Sequence, residues 1–129
     1  MEKKLSLTDA EWSVREQLWA APGSTGRALT AALEQKTGWS RSTTLTLLRR
    51  LVEKGAVRYE DSGSIRTFFP NITREHAAVR QTRDLLGRVY HGSLSMLVSA
   101  MTREETLPQE EIDELYALLN EMEAKNRRD

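Results

Sequence analysis

Ser42, Thr43, Thr46, Arg49 and Arg50 stand within the stretch WSRSTTLTLLRRLVEKG, residues 39–55. At helical steps these three hydroxyl side chains and two guanidiniums reach one side of the chain. Short hydroxyls let a helix approach a partner closely, donate or accept hydrogen bonds, and at threonine add a methyl group. Arginine is long and always charged, and it grips a phosphate or a guanine edge through two parallel N–H bonds. Glu53 is the only acid between Gly38 and Tyr59. The chemistry such a surface suits is recognition of a nucleic-acid duplex, with hydroxyls at base edges and cations at phosphates. A solvated polar face has the same composition, so the surrounding elements must decide between the two.

The stretch itself reads as a helix. Ser40 is its natural N-cap and Gly55 its C′ residue. At 100° per residue, Thr44, Leu47, Leu48, Leu51 and Val52 fall in one arc of about 140°. Ser42, Thr43, Thr46, Arg49 and Arg50 fall in a separate arc of about 120°. The first arc is core and the second faces out. Ser40, with the free N–H groups behind it, offers a phosphate site at a helix N-terminus, and Arg41 lies beside it.

Two helices precede this one. LTDAEWSVREQLWAAPG carries Thr8 and Glu11 at capping-box spacing, an apolar stripe of Ala10, Val14 and Leu18, and a Pro22-Gly23 stop. A second helix over residues 25–37 shows Leu29, Ala32 and Leu33 and closes at Gly38. After the third helix, VRYEDSGSIRTFFP alternates Val57 and Tyr59 with Arg58 and Glu60. It turns through Asp61-Ser62-Gly63-Ser64, then runs from Ile65 to Phe69. This is a β-hairpin, and it places Arg58 and Arg66 where they can grip flanking backbone. Trp12, Trp19 and Trp39 adjoin apolar stripes and read as packing residues rather than base stackers.

From Thr73 the pattern is helical for almost thirty residues, with Leu86, Val89, Tyr90, Leu94, Leu97, Val98 and Met101 on one side. TREETLP breaks it, Pro108 suits the first turn of a last helix, and Ile112, Leu115, Leu118, Leu119 and Met122 line that helix. The charged tail KNRRD reads as frayed. The front of the chain can satisfy its own apolar surface, whereas the last two helices have no evident partner. A homodimer pairing them with their symmetry mates is the simplest way to bury them; folding back onto the front is the alternative. The fold expected is mostly α: a winged helix-turn-helix domain of three helices plus a β-hairpin wing over residues 1–72, then a two-helix C-terminal dimerisation region over 73–129.

Composition narrows the function. Net charge is zero, but residues 1–72 hold 11 Lys and Arg against 8 Asp and Glu, while residues 73–129 hold 8 against 11. A basic front and an acidic back suggest that the front meets a polyanion. Cysteine is absent, which excludes disulfides and thiolate metal sites and permits a reducing cytoplasm. No apolar run is long enough for a membrane span. His76 and His91 lie about 22 Å apart along a continuous helix, too far to share a metal within one chain. No glycine-rich phosphate loop occurs. An enzyme and a cofactor are therefore not expected; a winged-helix protein-interaction module without specific DNA binding is the remaining alternative.

LTDAEW, Leu18-Trp19, WS..TTLTLL.RL..KG over residues 39–55, FFP and SLSMLV…EEIDELYALLN together resemble the penicillinase-repressor (BlaI/MecI/CopY) family of bacterial transcriptional repressors, over nearly the whole length. The resemblance implies a winged helix in front, a helical dimerisation domain behind, and homodimers that sit on inverted-repeat double-stranded DNA operators and block transcription. It maps base- and phosphate-contacting positions onto Ser40, Ser42, Thr43, Thr46 and Arg50. It also implies a sensor protease as a partner of those members that answer β-lactams. Three departures stand out. There is no cysteine-rich copper motif, Ala100-Met101 replaces the Asn-Phe bond that the protease cuts, and Ser42 replaces a common lysine.

Overall fold

Caps set the bounds of the two helices that follow the Pro22-Gly23 turn. A computed structural model describes residues 7–128, with side chains described from Asp9 onward. Helix α1 spans Leu7–Ala20, and Ser24–Thr25 form a short strand, β1. The Thr25 side chain then accepts from the Ala28 N–H and opens α2, Gly26–Thr37. Gly38, with φ 77°, ends α2 and returns its N–H to the Glu34 carbonyl. Helix α3 runs Arg41–Glu53, opened by Ser40, whose hydroxyl accepts from the Thr43 N–H. It closes through Gly55 (φ 81°), with the Gly55 N–H on Val52 and the Ala56 N–H on Leu51. That pair of returning bonds needs a left-handed residue, which glycine adopts without a Cβ penalty.

Strands β2 (Val57–Ser62) and β3 (Ile65–Pro70) follow, and the sheet order is β1-β3-β2. Tyr59 faces Phe68 and Asp61 faces Arg66 across the hairpin. β2 continues through Asp61 and Ser62, so the turn is narrower than the four residues expected and comprises only Gly63 and Ser64. Gly63 has positive φ and Ser64 does not, the pattern of a tight II′ hairpin turn. β1 was not anticipated. It is two residues long and exists because the free edge of β3 pairs with Ser24 and Thr25.

One core holds these elements together: Val14 and Leu18 from α1, Leu29 and Leu33 from α2, Leu47, Leu48 and Leu51 from α3, and Ala56, Val57 and Phe68 from the hairpin. Glu11 shares the inward face of α1 with Val14 and Leu18 and is itself buried. Both its oxygens accept from Lys54 Nζ at 2.7 Å. The carboxylate expected to complete a capping box is therefore spent on the end of α3, because α1 already begins at Leu7; the Thr8 side chain lies outside the described residues. Trp19 Nε1 donates to the Ile72 carbonyl at 2.9 Å, and Arg15 lies over both Trp12 and Trp19. The tryptophans thus pin the chain leaving β3 to α1, and burial lowers the Arg15 pKa.

Helix α4 spans Arg74–Tyr90, α5 Leu94–Glu104 and α6 Gln109–Arg128. The single long helix expected from Thr73 is divided. His91 (φ 52°) and Gly92 (φ 81°) leave the helical region, and Ser93 caps the next helix by accepting from the Met96 N–H. His91 accordingly stands in the break rather than in a helix. The tail expected to fray remains helical through Arg128. The chain forms two compact units that divide within α4, after Arg80. In the second unit no residue of α5 or α6 is buried, and an apolar cleft of about 550 Å³ opens among Val98, Leu107, Ile112, Leu115 and Leu119.

The Thr44 hydroxyl is fully buried and has no hydrogen-bond partner among the described residues. An unmatched buried hydroxyl is costly, and valine has the same shape. Thr44→Val is expected to raise folding stability by about 1 kcal/mol, read from urea denaturation; a lower midpoint would mean that the hydroxyl has a stabilising partner.

Candidate nucleic-acid interface

Burial of Thr44, Leu47, Leu48 and Leu51 orients α3. The opposite side is left outward: Arg41, Ser42, Thr43 and Arg49 are exposed, while Thr46, at the centre of the arc, and Arg50 are half-buried. Val52 packs partly against the core, as its position on the apolar arc requires. Among the described residues, Arg41, Arg49 and Arg50 form no ion pair with an acid, so their charge faces outward uncompensated. Leu45 was not singled out in the sequence, yet it borders the polar surface at 36% exposure. A helical projection shows it beside Arg49.

At the N-terminus of α3 the polar groups are already organised. Ser40 Oγ accepts from the Thr43 N–H at 3.2 Å and lies 3.1 Å from Thr43 Oγ1. Only one of these two hydroxyls donates to the other, so one O–H stays available to an incoming acceptor. No acid stands in the first turn of α3. Its unpaired N–H groups and the positive end of the helix dipole thus point outward with no anion of the same helix to neutralise them.

The wing is different. Arg58 Nη1 donates to Glu60 Oε2 at 2.6 Å. Arg66 donates to Asp61 through Nε at 2.7 Å and through Nη2 at 3.1 Å. Each guanidinium also covers an aromatic ring: Arg66 lies 3.8 Å from the Tyr59 centroid and Arg58 4.4 Å from that of Phe69. The hydrogen bond from Arg66 holds the Asp61 carboxyl below its ordinary pKa. So Arg58 and Arg66 are on the hairpin as expected, but each is engaged by an acid. Glu60 and Asp61 were not read as part of the site. The signals lay in the R-x-E spacing of β2 and in the two-residue turn, which brings Asp61 opposite Arg66.

The residues named for dimerisation lie in α4, α5 and α6. Leu86, Tyr90, Leu97, Ile112 and Leu115 are half-buried; Val89, Leu94, Met101, Leu118, Leu119 and Met122 are exposed. No group of three or more His, Asp or Glu side chains among the described residues is placed to hold a metal ion.

Comparison with known proteins finds relatives that span nearly the whole chain. The penicillinase-repressor family model matches residues 7–121. The penicillinase repressor of Bacillus licheniformis is 31% identical over 128 residues, spanning 99% of this chain and 98% of its own. The methicillin resistance regulatory protein MecI of Staphylococcus aureus is 25% identical over 118 residues, spanning 92% of this chain and 96% of its own. The solution structure of the monomeric form of Bacillus licheniformis BlaI, in complex with the blaP half-operator, is 29% identical. It covers 58% of this chain and 92% of that chain, with a TM-score of 0.49.

Ser40→Ala removes the cap on α3 and is expected to lower stability by about 1 kcal/mol in thermal or urea denaturation, whereas Ser40→Asn preserves it. Equal loss in both variants would show that the cap is not what the hydroxyl supplies.

Proposed function

We propose a function from one premise: the chain belongs to the penicillinase-repressor family. It acts as a DNA-binding transcriptional repressor that occupies inverted-repeat operators as a homodimer. The observation that carries this reading is the outward arc of α3, hydroxyl-bearing and cationic, with its N-terminus capped and free of acids. Residues 1–72 bind DNA and residues 73–129 dimerise. Ser42, Thr43 and Thr46 read base edges; Ser40, Arg41, Arg49, Arg50, Arg58 and Arg66 meet the sugar-phosphate backbone. The two recognition helices then lie about 34–36 Å apart along the duplex, or a multiple of that.

The dimer reading is supported by exposure. Leu118 is 60% exposed, Leu119 61% and Met122 56%, on a helix with no buried residue of its own. Burying such side chains against a second copy gains about 1.5–3 kcal/mol for each one fully covered. No helix among the described residues is long and apolar enough to cross a membrane, and the operator-bound role places the protein in the cytoplasm. A sensor protease enters this reading only through local opening of α5. Ala100-Met101 lies in that helix, and a helical bond is not presented for cleavage while the helix stays closed.

Binding to DNA is expected to weaken steeply with salt, by roughly 0.9 log units per log unit of salt for each phosphate neutralised. Arg49→Ala lowers affinity for all duplexes alike and reduces that slope, whereas Thr46→Val, which keeps the shape, shifts sequence preference by about 1–3 kcal/mol. Affinity that is indifferent to salt and to both substitutions would favour a protein-interaction module. In sedimentation, the unmutated protein is expected to run as a dimer and Leu118→Asp with Leu119→Asp as a monomer; a monomeric parent would defeat the dimer reading.

A further inference from the structure

The hairpin from Val57 to Pro70 carries four charges, Arg58, Arg66, Glu60 and Asp61, which sum to zero. All four are committed to one another. The Asp61 carboxylate takes Nε and Nη2 of Arg66, and Glu60 takes Nη1 of Arg58. The Nε–Nη2 edge is a fork that presents two parallel N–H bonds, the geometry in which a guanidinium grips a phosphate. Tyr59 and Phe69 cover one face of each guanidinium. A phosphate approaching the wing therefore meets arginines whose charge is already matched. On α3, by contrast, Arg41, Arg49 and Arg50 have no ion-pair partner among the described residues.

We propose that Glu60 and Asp61 are antagonists of DNA binding built into the wing: each holds an arginine in an internal ion pair, and a phosphate reaches that arginine only in competition with the carboxylate. The proposal rests on the DNA-binding reading above and adds two residues to its determinants, with a sign opposite to the rest.

Magnitudes decide how the antagonism works. Both pairs are exposed, so each is worth only about 0–1 kcal/mol, and breaking one is a small obstacle. The larger effect persists after displacement. The freed carboxylate stays on the hairpin, a few ångströms from its former partner, and faces the phosphates within the screening length of about 10 Å at 0.1 M salt. The wing thus adds little net charge to the complex. Sequence reading falls to α3, whose cations are uncompensated, while the hairpin contributes shape and its two aromatic-backed guanidiniums. Removing one acid turns the hairpin from neutral to +1.

The test uses the full chain, a fluorescein-labelled mixed-sequence duplex and the duplexes recovered by selection from genomic fragments. Affinity is read by anisotropy across a KCl series. Asp61→Asn and Glu60→Gln are each expected to bind about two- to fivefold tighter and to steepen the salt slope, by at most ~0.9 for each phosphate gained. Both positions are exposed, and thermal melting checks that the fold is retained. Arg66→Ala is expected to cost more affinity in the Asp61→Asn background, where the guanidinium is free, than in the parent, whereas a general charge effect would make the loss the same in both. Unchanged or weaker binding by both acid variants, with the parent still binding in a salt-dependent way, overturns the antagonism alone. An Asp61→Asn gain of the same size with Arg66 present and with Arg66→Ala overturns the route through Arg66. A parent that binds no duplex removes the DNA reading and this proposal with it.

Discussion

The packing of Thr44, Leu47, Leu48 and Leu51 against Val14, Leu18, Leu29 and Leu33 decides what the other side of α3 can do. Three buried leucines at about 1.5–3 kcal/mol each outweigh anything the polar arc gains from an alternative orientation. Turning α3 about its axis would expose them and bury arginines, so the helix has one stable rotation. The bidentate bond from Lys54 to the buried Glu11 adds a fixed point at its C-terminal end, and Ser40 fixes the start. The outward orientation of the polar arc is thus a consequence of core chemistry on the inner one.

The same framework grades the electrostatics of the surface. Along α3 the cations stand without carboxylate partners among the described residues, and Arg41 adds to the positive end of the helix dipole. On the hairpin the register that pairs Asp61 with Arg66 cancels the charge locally. A one-residue slip of that register would flip every side chain to the opposite face and remove Val57 and Phe68 from the core. The neutral wing is therefore tied to the packing of the hairpin, and the balance between the two elements follows from strand register as much as from composition.

What was legible in the sequence was local or periodic. Ser40, Gly38 and Gly55 mark helix ends through bonds spanning a few residues, and the two arcs of α3 follow from a step of 100°. What was missed depends on partners far along the chain or on competition between local signals. Glu11 sits at capping-box spacing, yet it serves Lys54, 43 residues away, because α1 begins too early for the box. β1 exists only because β3 leaves an edge to pair with. The break at His91-Gly92 had a local signature in Gly92 and the capping Ser93, but the apolar stripe continues across it and masks the interruption. The wing ion pairs needed the exact turn length, and Asp61 belonged equally to a turn or to a strand until the hairpin was seen.

The central claim is that the outer arc of α3 is the surface that meets DNA. Amide chemical-shift mapping of the isotopically labelled full chain, titrated with an operator duplex recovered by selection, tests it most directly. The account expects the largest perturbations at Ser40 to Arg50, with smaller ones on the hairpin and little change at Val14, Leu18 and Leu33 in the core. Perturbations centred on α6, with the amides of Ser42, Thr43 and Thr46 unmoved while the duplex is bound, would contradict it.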